Sequence, residues 1–324
     1  MRRPALLLLT LCLSLAACDS GGRTSAATPA SGSASAAAPG SGAASGTASS
    51  AASASASAAV PPPVVPAGVA ASVVVFDRRT GEFVYSVAPS TSYRSASLVK
   101  LLIVLDVTWS SGAVPAADRG RLDVMLRSSD DAAATFFWRR GGQRALVTRM
   151  AQRLGLVDTD PPPAGQPGFW GYTAMSAADV VKIYRYLLDQ APPAVRDYVL
   201  GNLRASTRCG TDRYDQSFGI PTALARPWAV KQGWSGFGDT PATPCTAPAA
   251  LPVQMEAPGA LPVHRAAPVD LAGEVLHTTG IVGADDRAVV AVLTSHPDGT
   301  AFARATATVT DLVRSLRIPG ATPA

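Results

Sequence analysis

The 324-residue chain carries 28 basic and 23 acidic residues, a formal net charge of +5, and is long enough for one large domain with segments to spare. Its basic residues form no run interleaved with aromatics, which argues against a nucleic-acid partner. Its four cysteines and three histidines (His264, His277, His296) show no metal-ligand spacing, so neither a metal nor a cofactor is expected.

In chain order, residues 1–18 read as an address. Arg2 and Arg3 open it, and residues 6–15 form an apolar run too short for a permanent span. Leu15-Ala16-Ala17-Cys18 then follows. This predicts a signal peptide whose small-residue site ends as a bacterial lipobox does, with Cys18 lipidated and the protein anchored at the outer face of the cell membrane. An ordinary secretory signal is the alternative. Residues 19–68 are almost wholly Ala, Ser, Gly, Thr and Pro, with too little apolar bulk to offset ordering, and are expected as a disordered linker. The linker serves either as a tether that lets the domain sweep a nearby polymer or as a plain spacer. Residues 69–317 are expected as the folded domain and 318–324 as a tail.

Within that domain, residues 70–76 and 82–87 are β-rich runs around the turn Asp77-Arg78-Arg79-Thr80-Gly81, a hairpin signature. Ser97 opens an apolar segment, 98–109, read as a buried helix. Helical patterns follow over 116–127, 131–139, 144–154, 175–188 and 194–203, with a Pro/Gly-rich loop at 155–172. Strands are expected at 228–234, 274–282 and 287–295, the last two joined by Gly283-Ala284-Asp285-Asp286, and a closing helix at 302–316. This order predicts an antiparallel sheet sharing its interface with a helical subdomain. Cys12 leaves with the leader and Cys18 takes lipid, so Cys209 and Cys245 remain, in loop sequence and an oxidising compartment. A disulfide between them, worth about 3–4 kcal/mol, and two free thiols both fit.

Lysine is scarce: Lys100, Lys182 and Lys231 are the only three. Arginine keeps its proton, whereas a buried lysine can give one up. Lys100 stands in Ser97-Leu98-Val99-Lys100, at a helix start where i and i+3 share a face and set hydroxyl beside amine. An N-cap serine with a surface lysine is the plain alternative, but Lys100 is embedded among Leu98, Val99, Leu101, Leu102 and Ile103. Ser129-Asp130-Asp131 precedes a helix and serves equally well as its cap. Lys231-Gln232-Gly233 follows the apolar Trp228-Ala229-Val230. Glycine in mid-strand marks close approach of a backbone or ligand, and an edge strand with a solvated lysine is the bland reading. His277 fits a structural strand residue better than a cleft residue.

In order and spacing these three motifs resemble those of the serine β-lactamase (class A-like) and penicillin-binding protein superfamily. The resemblance implies an α/β (α+β) fold of the β-lactamase/transpeptidase type, without cofactor. It implies a serine hydrolase that forms an acyl-enzyme with a β-lactam or a D-alanyl peptide of the peptidoglycan stem. Ser97 is then the nucleophile, Lys100 the base, Ser129 the proton relay and Lys231 the anchor for a substrate carboxylate. Asp131, Gln232, Gly233 and Trp234 line the substrate, and the N–H groups of Ser97 and Trp234 form an oxyanion hole.

Three departures bear on rate. Asp131 stands where the family more often has Asn; a carboxylate there keeps Lys100 protonated and blunts it as a base. Gln232 replaces the usual Thr or Ser. The loop glutamate that activates the deacylating water in class A enzymes is missing: the chain's glutamates are Glu82, Glu256 and Glu274, and the loop offers only Asp158 and Asp160. Slow deacylation is expected. The alternative is a weak or inactive member that binds peptidoglycan peptide or a protein partner.

Overall fold

A computed structural model describes residues 60–246 and 269–324. The expected signal peptide with Cys18, residues 19–59 of the expected linker, Glu256 and His264 lie outside the described residues.

Five strands form one antiparallel sheet in the order β2-β1-β7-β6-β5: β1 Ala70–Asp77, β2 Glu82–Val87, β5 Trp228–Ser235, β6 Glu274–Val282 and β7 Ala288–His296. A separate two-stranded ribbon pairs β3 Ser92–Arg94 with β4 Ala174–Ser176. Six longer helices lie between β3 and β5: α1 Lys100–Trp109, α2 Arg119–Arg127, α3 Asp131–Arg140, α4 Arg144–Leu154, α5 Ala177–Asp189 and α6 Pro193–Arg204. The short α7, Ile220–Ala223, and the closing α8, Phe302–Ser315, complete the fold.

Strand side chains alternate between faces, and here both faces are covered. Val74, Phe76, Ala229, Ile281, Val289, Ala291 and Leu293 point into the core built with α1–α6. Their neighbours Val73, Val75, Val230, Val282, Val290 and Val292 point into a second core with α7 and α8. Burial on two faces explains why these strands read as unbroken apolar runs. Two boundaries differ from expectation. Val60 and Val65, in the expected linker, pack against the second core. The expected tail is part of the fold: Ile318 is buried in that core, and the Ala324 N–H donates to the Ala223 carbonyl at 3.1 Å.

The ribbon β3–β4 was not foreseen, because three-residue strands carry no readable period. Nor was α7, four residues long. The expected helix from Ser97 is in fact a 3₁₀ turn, Ala96–Val99, running into α1.

Candidate active site

The 3₁₀ turn sets the first pair. Side chains at i and i+3 eclipse in that geometry, so Ser97 and Lys100 meet more directly than on an α-helix: Lys100 Nζ donates to Ser97 Oγ at 2.8 Å. Both are buried, Lys100 at 0 % exposure. The turn abuts β5, where a Cβ on Gly233 would lie 3.0 Å from the Ser95 carbonyl oxygen and 3.3 Å from Leu98 Cγ. Glycine is required there because the backbone leading into Ser97 passes so close.

Ser129-Asp130-Asp131 divides its labour. Asp130 caps α3, its Oδ1 accepting the Ala133 N–H at 2.7 Å. Ser129, between α2 and α3, holds φ at +58°, a left-handed conformation that costs a non-glycine residue of order 1–3 kcal/mol and turns its hydroxyl into the cleft. Asp131 opens α3 and reaches back, accepting from Lys100 Nζ at 2.6 Å while its side chain stays 63 % exposed. The capping reading therefore holds for Asp130, while Ser129 and Asp131 contact the lysines.

From β5, Lys231 Nζ approaches Ser129 Oγ at 2.7 Å and donates to the Gln232 carbonyl at 3.0 Å. Lys100 Nζ also donates to the Ser129 carbonyl at 2.6 Å and lies 3.3 Å from Ser129 Oγ. The four residues expected to be catalytic thus form one connected, buried cluster from the 3₁₀ turn, α1, the α2–α3 turn and β5. Burial, and then the charge of Lys100, hold Lys231 well below the ordinary lysine value; Asp131 and Asp212 pull weakly the other way.

Strand alternation corrects part of the expected substrate wall. Lys231 and Gly233 face the α1 side, so Gln232 and Trp234 face the opposite side. Gln232 Nε2 donates to the carbonyls of Gln216 (3.2 Å) and Phe218 (2.6 Å), so its amide braces that segment instead of the cleft. The Trp234 ring packs near Phe218, with its Nε1 on Asp212 Oδ2 at 2.9 Å. The Trp234 side chain is thereby turned away from the face that carries Lys231.

The loop of residues 155–172 carries Asp158 and Asp160. Asp158 Oδ2 accepts from Ser176 Oγ at 3.1 Å, away from Lys100, and the Asp160 backbone pairs with Ala174. What faces Lys100 from this loop is Trp170, its ring centroid 4.7 Å from Nζ and its Nε1 donating to Thr135 Oγ1 at 3.1 Å. Sequence reading missed Trp170, although an aromatic-rich Phe169-Trp170-Gly171-Tyr172 stretch in a loop was its signal. It also missed Asp212, for which no local signal exists. Burial, and then Asp131's charge, raise the Asp212 pKa, with the backbone N–H of Tyr214 opposing.

Cys209 and Cys245 are disulfide-bonded. His277 has the structural role: buried, it hydrogen-bonds the Arg94 carbonyl through Nε2 at 2.9 Å and accepts the Thr294 N–H on Nδ1 at 3.3 Å.

No family model matches the chain. LppW of Mycobacterium tuberculosis, a candidate lipoprotein by its name, is 41% identical over 175 residues. The match covers 52% of this chain and spans about half, 54%, of LppW. Among solved structures, a variant of PBP-A in an acyl-enzyme complex with penicillin G superposes with a TM-score of 0.53 at 14% identity, over 77% of this chain and 89% of that one. The class A β-lactamase of Mycobacterium abscessus gives 0.52 at 16% identity, over 76% and 92%. The antiparallel sheet, the helical subdomain and these superpositions agree: the domain has the β-lactamase-like α+β fold that class A β-lactamases and PBP-A share.

Proposed function

We propose that the domain is a cell-envelope serine hydrolase that forms an acyl-enzyme on Ser97 with a β-lactam or a D-alanyl peptide and releases it slowly. One observation carries this reading: the buried contact of Ser97 Oγ with Lys100 Nζ at 2.8 Å, continued through Ser129 to Lys231. A serine hydroxyl is a weak nucleophile unless a neighbouring group takes its proton, and a fold has no packing reason to bury two lysines around two serines. Ser97 Oγ attacks the amide carbonyl, the C–N bond breaks, and Ser129 lies where it can pass a proton to the leaving nitrogen. Slow release follows from the loop, which presents Trp170 to Lys100 where class A enzymes use a glutamate. The PBP-A complex supports the acylation step by analogy of fold. Lipid anchoring through Cys18 at the outer face of the cell membrane rests on the leader sequence and on the name of LppW.

Fluorescent penicillin tests this reading. The wild type should be labelled, Ser97→Ala should not, and Lys100→Arg should lose about 100-fold or more in labelling rate, because guanidinium keeps its proton. Equal labelling of wild type and Ser97→Ala would overturn the assignment.

A second reading, a scaffold that binds stem peptide or a protein partner without turnover, is favoured by the Asp131–Lys100 ion pair. Peptide binding without labelling would select it.

A further inference from the structure

The two cleft lysines have opposite surroundings. Lys100 Nζ touches the Ser129 carbonyl and Asp131 Oδ1, both at 2.6 Å and both able only to accept, and one of them is an anion. Lys231, at 2 % exposure, touches Ser129 Oγ and the Gln232 carbonyl, with no carboxylate within 4.0 Å among the described residues. The charged or titratable groups facing it are Lys100 from α1, Asp131 from α3 and Asp212 from the segment after α6. On the α5 side stands Tyr184, whose hydroxyl is 3.0 Å from Thr279 Oγ1, itself bonded to the Lys231 carbonyl. Burying a second ammonium beside the first costs more than burying an amine.

We propose that Lys231 is the neutral lysine of the resting site and that it stores the proton Ser97 loses on acylation, received through Lys100 and Ser129. This goes beyond an anchoring role for Lys231 and, in its catalytic part, rests on the acyl-enzyme reading above. The depressed proton affinity of Lys231 supports the same assignment. Lys100 passes one ammonium proton to Ser129 Oγ across 3.3 Å, and Ser129 passes its own hydroxyl proton to Lys231 Nζ across 2.7 Å. Lys100, now an amine, takes the Ser97 proton across 2.8 Å as Oγ bonds to the carbonyl carbon. The Ser97 O–H bond is broken, the O–C bond is formed, Lys231 has become an ammonium, and Lys100 and Ser129 are restored. When the C–N bond breaks, the stored proton returns through Ser129 to the leaving nitrogen.

The chain's three lysines make the test direct. Lysine enriched with carbon-13 at Cε gives three signals; Lys182→Arg identifies one, and Asp131→Asn moves that of Lys100, whose carboxylate partner it removes. The expected result is a Lys231 signal that is already that of the amine at pH 7, while the Lys100 signal there is that of the ammonium. A Lys231 that is an ammonium at pH 7, or a Lys100 that is the amine there, overturns the proposal whether or not penicillin labels the protein. In the labelling assay, Lys231→Arg should lose about 100-fold or more in acylation rate. A loss confined to the concentration dependence, with the maximal rate kept, would return Lys231 to an anchor. If the wild type is not labelled, the acyl-enzyme reading falls, while the titration still decides which lysine is neutral.

Discussion

At the scale of single residues, burial changes what a side chain is for. His277 shows this most plainly. Enclosed on β6, it is lowered from the ordinary 6.5 to about 4 by burial, only partly offset by its bond to the Arg94 carbonyl. Between those values the unfolded chain binds a proton that the folded chain refuses, so stability is full above pH 6.5, falls through the window and levels off below about pH 4. The loss attributable to His277 should reach about 3 kcal/mol. Buried His296 shifts in the same direction and adds to it. Urea unfolding at pH 7 and pH 4.5, in wild type and His277→Gln, measures the effect. If the variant shows the same pH slope, His277 is not the source. Asp131 makes the complementary point: largely exposed, it reaches a lysine with no exposure at all, with Oδ1 2.6 Å from Lys100 Nζ.

At the scale of elements, a strand and a loop set the shape of the site. Alternation along β5 gives Lys231 and Gly233 to the cleft and Gln232 to the far side, so the Thr-for-Gln difference alters bracing of residues 216–218 more than substrate contact. The loop ending in Trp170 is clamped to the nucleophile's turn, with a Cβ on Gly171 only 3.6 Å from Ala96 Cα. Its indole centroid stands 4.7 Å from Lys100 Nζ, where on the acyl-enzyme reading it would restrict entry of a deacylating water. Trp170→Ala should therefore speed loss of a penicilloyl adduct, by about 10-fold if water entry limits the step, while leaving acylation within a few-fold. Intact-protein mass measured over time after removal of free drug follows both. An adduct lifetime unchanged by the substitution would mean that the missing base, and not access of water, sets the rate.

At the scale of the whole molecule, long-range ties hold the cleft's edge. The disulfide joins Cys209 to Cys245 across 36 residues, a span that contains β5. Cross-linking a loop of that length stabilises by about 4 kcal/mol through the unfolded state. Cys209→Ala/Cys245→Ala should lower the unfolding free energy by roughly that amount. A loss under about 1 kcal/mol would show that the surrounding contacts, such as the Cys245 N–H on the Arg213 carbonyl at 2.8 Å, suffice. Membrane attachment is a separate matter. Among the described residues no helix is long and apolar enough to cross a membrane; the attachment proposed is through lipid on Cys18. Cys18→Ala should release the protein from the membrane fraction; continued retention with no lipid mass would remove the anchor from the picture.

The sequence by itself determined whatever depends on local period and spacing. The long helices follow from apolar repeats near 3.6 and the sheet strands from unbroken β-rich runs bounded by turn residues, and Ser97 with Lys100 follows from an i, i+3 step that any right-handed helical turn brings together. The parity of β5 was legible too: once Lys231 faces the cleft, its neighbour cannot. Tertiary structure decided what depends on approach between distant segments. Lys231 meets Ser129 across 102 residues and Asp131 reaches Lys100 across 31. Trp170 fills the place where a carboxylate was sought, and Asp212 arrives from a segment with no motif of its own. Such contacts are set by how layers pack and how deeply groups are buried, and no local period in the sequence encodes them.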